Sequence, residues 1–143
     1  MTAATLFRAV RPTALIAAAL LLVSATAAQA AGTAQSAWHE TEQTKARLIA
    51  AVTGTGSAEM LRLGLEFHMQ PGWKIYWRSP GDAGIPPRPN WDGSDNLKSA
   101  KLLWPAPERF SVLGLETLGY KKEVVFPIDA VPMAPGKPML VKA

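Results

Sequence analysis

The sequence contains no cysteine and only two histidines, His39 and His68, among its 143 residues. Without thiols the fold has no disulfide staple, and no residue of the chain can take part in thiol–disulfide exchange. The G-x-S-x-G elbow, the phosphate-cradling glycine loop and the Cys-x-x-Cys pair are all missing, which removes the common nucleophile, nucleotide and redox motifs. After Val23 there is no long apolar run, and a bilayer span takes about 20 such residues. Charge is not concentrated either. The 15 cationic and 11 acidic residues are scattered, and only Lys121 and Lys122 are adjacent cations. That pattern reads as a solvated surface and argues against a nucleic-acid partner.

What is present begins with an export leader. Arg8 and Arg11 precede the apolar stretch Thr13 to Val23, and Ala28-Gln29-Ala30 offers the small-x-small pattern of a signal-peptidase site. The apolar stretch fades into Ala, Ser, Thr and Gln, so residues 1–30 read as a cleaved signal peptide in preference to an uncleaved anchor. Both arginines leave with it, and the excess of cations over acids falls from four to two. Residues 31–37 are small and polar and are expected to form a flexible mature N-terminus. Residues 38–143 are long enough for one domain.

Within that domain the periodicity is that of strands. In Met60 to Met69, Leu61, Leu63, Leu65, Phe67 and Met69 alternate with Arg62, Gly64, Glu66 and His68, the pattern of a half-buried strand. Strands are also expected over Lys45–Val52, Trp73–Ser79, Leu97–Trp104 and Glu123–Ile128, with a last one beginning in Lys137–Ala143. Pro71-Gly72 reads as a hairpin turn between the Met60–Met69 strand and Trp73–Ser79. Pro80–Asn96 reads as a long connection and Glu108–Tyr120 as a loop. Pro127 suggests an edge or a bulge. No amphipathic helix is visible, so the fold class is all-β, a two-layer sandwich.

Five tryptophans, Trp38, Trp73, Trp77, Trp91 and Trp104, supply the bulk that disulfides cannot. Trp73, Ile75 and Trp77 share one face of their strand and are assigned to the core; Lys74, Tyr76 and Arg78 share the other. The alternative is a binding platform on which exposed Trp and Tyr stack against a glycan or peptide. His68 and Met69 invite a copper reading, but they point to opposite sides of a strand, so no metal site is assigned. Asp82, Asp92 and Asp95 fall in Gly/Pro-rich loops, where such residues ordinarily form turns. The residues alone therefore give no catalytic site and no cofactor.

The runs Gly72-Trp-Lys-Ile-Tyr-Trp-Arg-Ser-Pro-Gly-Asp82 and Trp104-Pro-Ala-Pro-Glu-Arg-Phe110, continued through Ile128, resemble the N-terminal periplasmic domain of DsbD-type thiol:disulfide interchange proteins. Within these they are most similar to the ScsB-like branch associated with suppression of copper sensitivity. The resemblance covers the chain from about Trp38 onward. It implies an immunoglobulin-like sandwich, here incomplete at its C-terminal side, in a periplasmic protein whose parent family is anchored in the inner membrane. It further implies relay of reducing equivalents from a membrane electron-relay domain to thioredoxin-like periplasmic proteins, disulfide isomerases, cytochrome c maturation factors or copper-tolerance proteins. The family's cysteine pair has no counterpart here, so no catalytic residue carries over and the chain is expected to be inactive alone. What carries over is a cap: a loop with an aromatic tip that shields the cysteines. Phe110 is assigned as that aromatic and Tyr120 as its support.

Overall fold

The computed structural model describes residues 34–52 and 54–143; the expected leader over 1–30 lies outside them. Among the described residues nine strands follow in chain order: β1 (Ala34–Gln35), β2 (His39–Glu40), β3 (Thr44–Ala50), β4 (Leu61–Met69), β5 (Lys74–Gly81), β6 (Leu97–Leu102), β7 (Glu108–Val112), β8 (Leu115–Lys121) and β9 (Glu123–Pro132). They form two antiparallel sheets. The first runs β1-β3-β4-β9-β6 with β2 also paired to β3, and the second runs β5-β8-β7. The result is an all-β immunoglobulin-like sandwich. Ala34–Gln35, inside the stretch expected to be loose, pair with Ala50 and Ile49 of β3.

The alternation in β4 is realised as read. Leu61, Leu65 and Met69 are buried, while Arg62 is exposed. Register then carries this inward face across the sheet, because Leu65 pairs with Phe126 and Leu63 with Ile128. Phe126, Ile128 and Ala130 of β9 have no exposed surface at all. From the second sheet Tyr120, Ile75 and Trp77 pack onto them. The centre is thus Phe126, whose ring meets those of Tyr120 at 5.0 Å, Trp104 at 5.2 Å and Phe67 at 5.8 Å, all edge to face.

The tryptophans sit around this centre and not in it. Trp77, Trp91 and Trp104 flank the core half-buried. Trp73, expected inside, is 52% exposed because β5 begins one residue later and Trp73 belongs to the preceding turn, where its N–H donates to the Gln70 carbonyl. Trp38 lies on the outer face of the first sheet, with Arg47 4.2 Å and Lys45 4.8 Å from its ring centre and His68 4.9 Å away edge-on.

Four further expectations are corrected. The Pro71-Gly72 turn does not close a hairpin, since β4 and β5 belong to different sheets; it carries the chain across the sandwich. Pro127 lies in the interior strand β9, between β4 and β6. Its carbonyl accepts from the Leu103 N–H at 2.7 Å, so its backbone polar groups face the side where β6 has just ended. The ladder donor that proline lacks is not needed at that point. Lys137–Ala143 forms a single bridge, Asp95 to Leu140, and no strand. The Asn96 side chain fastens this segment, donating to the Ala134, Lys137 and Pro138 carbonyls and accepting from the Ala134 N–H. Finally, Glu108–Tyr120 is a hairpin and not a loop.

The inner side of β3 and β4 borders a groove of about 590 Å³ lined by Ala46, Leu48, Leu65 and Phe67.

Candidate functional site: the outer face of the second sheet

The β7–β8 hairpin turns on two residues, Leu113 and Gly114, between the paired Val112 and Leu115. Both have positive φ, 52° and 84°, as the type I′ turn requires to match strand twist. Glycine accepts that conformation freely, whereas leucine is a poor occupant. Leu113 is also fully exposed, and Leu115 is 45% exposed.

Register distributes the remaining side chains. Phe110 pairs with Thr117, Tyr76 with Gly119, and Lys74 with Lys121. Facing residues share a side of the sheet and neighbours alternate, so Phe110, Thr117, Gly119, Tyr76, Lys74 and Lys121 all lie on the outer face. There they build a small second core. Phe110 is buried to 7% exposure, and its ring lies 6.2 Å from that of Tyr76. The Thr117 hydroxyl, also buried, donates to the Phe110 carbonyl at 3.0 Å. Gly84, at φ 111° in the loop after β5, sits so close to the Tyr76 ring that a side chain would not fit. Above Phe110 stand two ammonium groups, Lys121 Nζ at 4.9 Å and Lys74 Nζ at 5.5 Å from the ring centre. Each such contact is worth about 0.5–1 kcal/mol at an exposed site.

Tyr120 takes the opposite side of β8. It is 5% exposed in the main core, and its hydroxyl donates to the Pro105 carbonyl at 2.8 Å. The structure therefore brings Phe110 together with Tyr76, Lys74 and Lys121, and places Tyr120 across the sheet from them. Sequence reasoning missed Lys74, Tyr76 and Lys121. Reading the Val-Leu-Gly-Leu turn at 112–115 as a hairpin would have put Phe110 opposite Thr117 and on the face of Lys121, but Lys74 and Tyr76 depend on the β5–β8 register, which no local signal gives.

Burial pushes the Tyr120 hydroxyl up to about 12 from the ordinary 10, with the nearby Arg78 acting weakly the other way. The unfolded chain then releases this proton near pH 10 and the folded one near 12. The stabilisation is intact below pH 10 and is lost as pH climbs to 12, a fall on the order of 2–3 kcal/mol. Urea unfolding at pH 9, 10, 11 and 12 is expected to show this fall, and Tyr120→Phe to flatten it while lowering stability at neutral pH by about 1 kcal/mol for the lost hydrogen bond.

The other polar cluster lies on the outer face of the first sheet. Arg47 Nε meets Glu66 Oε2 at 2.7 Å and His68 Nε2 meets Glu66 Oε1 at 2.9 Å. The Arg47 hydrogen bond, opposed by burial and helped by His68, holds the Glu66 carboxyl below its usual range. His68 and Met69 face opposite sides of β4, with Met69 in the core. Asp82, Asp92 and Asp95 are exposed turn and bridge residues. Asp82 N–H donates to the Glu116 carbonyl, Asp92 exchanges hydrogen bonds with Asn90, and Asp95 holds Leu140.

The two antiparallel sheets, with a capped aromatic on the smaller one, define an immunoglobulin-like domain. Residues 41–143 match the family model "Thiol:disulfide interchange protein DsbD, N-terminal"; the chain belongs to that family. Among solved structures it is similar to the N-terminal periplasmic domain of ScsB from Proteus mirabilis, at 36% identity and a TM-score of 0.58. That match covers 70% of this chain and 40% of the solved one. No curated protein matches.

Proposed function

We propose that this chain supplies the scaffold and docking face of a domain that relays reducing equivalents to exported thiol proteins. The observation that carries the reading is Phe110, a buried aromatic held on the outer face of a short hairpin within a thiol:disulfide interchange domain. In this reading the Phe110 hairpin is the cap. Tyr120 supports it from the far side of the sheet by anchoring β8 in the core. The thiols themselves are not among the chain's residues, so it does no redox chemistry by itself. Its partners are a membrane electron-relay domain and thioredoxin-like proteins, among them disulfide isomerases, cytochrome c maturation factors and copper-tolerance proteins. Residues 1–30 serve as the leader that exports it to the periplasm.

The test is to add a thioredoxin-like periplasmic protein to the isotopically labelled chain and map amide shifts. Expected are shifts centred on Phe110, Thr117 and Gly119, with no insulin-reducing activity from the chain alone. A second reading, an aromatic platform for a glycan or peptide, is favoured by Trp73, which stands 52% exposed at the β4–β5 turn. Shifts confined to Trp73, or tryptophan fluorescence that saturates with an oligosaccharide, would replace the relay reading with that one.

A further inference from the structure

Lys74 and Lys121 are directly opposite one another across β5 and β8. Like charges in that position repel, and sheets ordinarily disfavour them. Among the described residues neither makes an ion pair; the carboxylates that do pair engage Arg47, Arg62 and His68. Glu108 shares their face, paired with Gly119, yet it bridges neither lysine. Both ammoniums instead lean over the Phe110 ring, the Lys74 ammonium also donating to the Gly72 carbonyl at 3.1 Å. Lys74 is half-buried and Lys121 exposed; Lys122, just past the end of β8 at φ 66°, is a further exposed cation nearby in the chain. The outer face of the second sheet thus carries a patch of two cations that form no ion pair among the described residues, over a floor that is a buried aromatic.

We propose that this patch is a docking site for an acidic segment of a partner protein, and that the segment's carboxylates draw Lys74 and Lys121 off the Phe110 ring. The physical case is charge complementarity. A carboxylate offers each ammonium a charge-assisted hydrogen bond that the ring cannot supply, comparable in strength to the exposed cation–π contact it replaces. It also removes the repulsion between the two lysines. Docking and uncovering of Phe110 are then one event: the partner's acids occupy the ammoniums that had roofed the ring. The inference deepens the relay reading, on which it rests for the partner's identity as a redox protein.

The experiment labels the chain with para-fluorophenylalanine, assigns the Phe110 resonance by its loss in Phe110→Leu, and titrates hexaglutamate, with hexaglutamine as control. Hexaglutamate is expected to move the Phe110 fluorine resonance, with an affinity that declines as salt screens the contact. The Lys74→Met/Lys121→Met double variant keeps the thermal unfolding midpoint but binds about tenfold more weakly, and Lys74→Arg/Lys121→Arg restores binding. An unmoved Phe110 resonance, an equal response to hexaglutamine, or undiminished binding by the methionine variant overturns the proposal. Because the readout needs no thiol and no redox partner, its failure is distinct from failure of the relay reading, which the amide mapping with a thioredoxin-like protein decides.

Discussion

Phe126→Ala is expected to leave the domain unfolded or nearly so at 37 °C. Phe126 is wholly buried, and truncating such a ring costs about 3–5 kcal/mol. Three edge-to-face contacts, with Tyr120, Trp104 and Phe67, disappear with it, each worth roughly 0.5–1.5 kcal/mol beyond the buried area. Those figures overlap, but even the lower bound is a large share of the roughly 5–15 kcal/mol that holds a domain folded. Neighbours cannot collapse into the space easily, because Ile128 and Ala130 are fixed by β9 pairing on both sides, to β4 and to β6. Phe126→Leu keeps most of the volume and is expected to cost less than half as much. Circular dichroism during urea titration measures both; a Phe126→Ala midpoint within a few tenths of a molar of the parent would show that the core is not centred there.

The second large effect is expected from a single methyl group. In Gly119→Ala the new Cβ meets the Ile75 carbonyl oxygen in outright overlap, with the Tyr76 Cα at 3.1 Å and the Phe110 Cζ at 3.1 Å. Two of those three neighbours are backbone of β5, which no rotamer change can clear. Relief requires β5 to lift from β8, opening the pairs Ile75–Tyr120 and Tyr76–Gly119. Overpacking costs about 1–3 kcal/mol where side chains can yield, and here the upper end or beyond is expected. Gly54→Ala is the control, since a Cβ at Gly54 finds open space. Thermal unfolding of the two variants, together with the Phe110 fluorine resonance, separates local displacement from global loss. Equal midpoints for both would mean that the two strands are not held as closely as described.

Much of this architecture is legible in the sequence, and the reason is physical. β4 is half-buried, so its two faces see different solvents and the sequence alternates plainly from Leu61 to Met69. The long connection is legible from Gly81-Asp82 and Pro86-Pro87, although Pro80 and Gly81 still belong to β5, and it does carry the chain from one sheet to the other. The hairpin at 108–121 was not legible because both of its faces are apolar: Phe110 and Val112 point outward, Leu118 and Tyr120 inward. A strand buried on both sides loses its period of two. Trp73 was misplaced for a related reason. Period alone cannot say where a strand starts, and a one-residue difference sends the first ring into a turn. Pro127 misled because the rule against proline in a sheet assumes a neighbour on each side, and β6 stops short of it. Of the candidate site, Phe110 was named from resemblance, but its lysine roof depended on cross-strand register, which no local pattern encodes.

The passage from β8 to β9 is made by Lys122 alone, bent into the left-handed region at φ 66°, with its carbonyl held by the Met69 N–H. One residue leaves no slack. The base of the hairpin is tethered to the strand that bears Phe126, so it cannot swing away as a hinged lid without dragging the most tightly packed part of the molecule along. Any yielding is therefore confined to the distal end, where Leu113 and Gly114 have nothing behind them. A partner that pries at this surface works against a lever whose fulcrum is the hydrophobic centre itself.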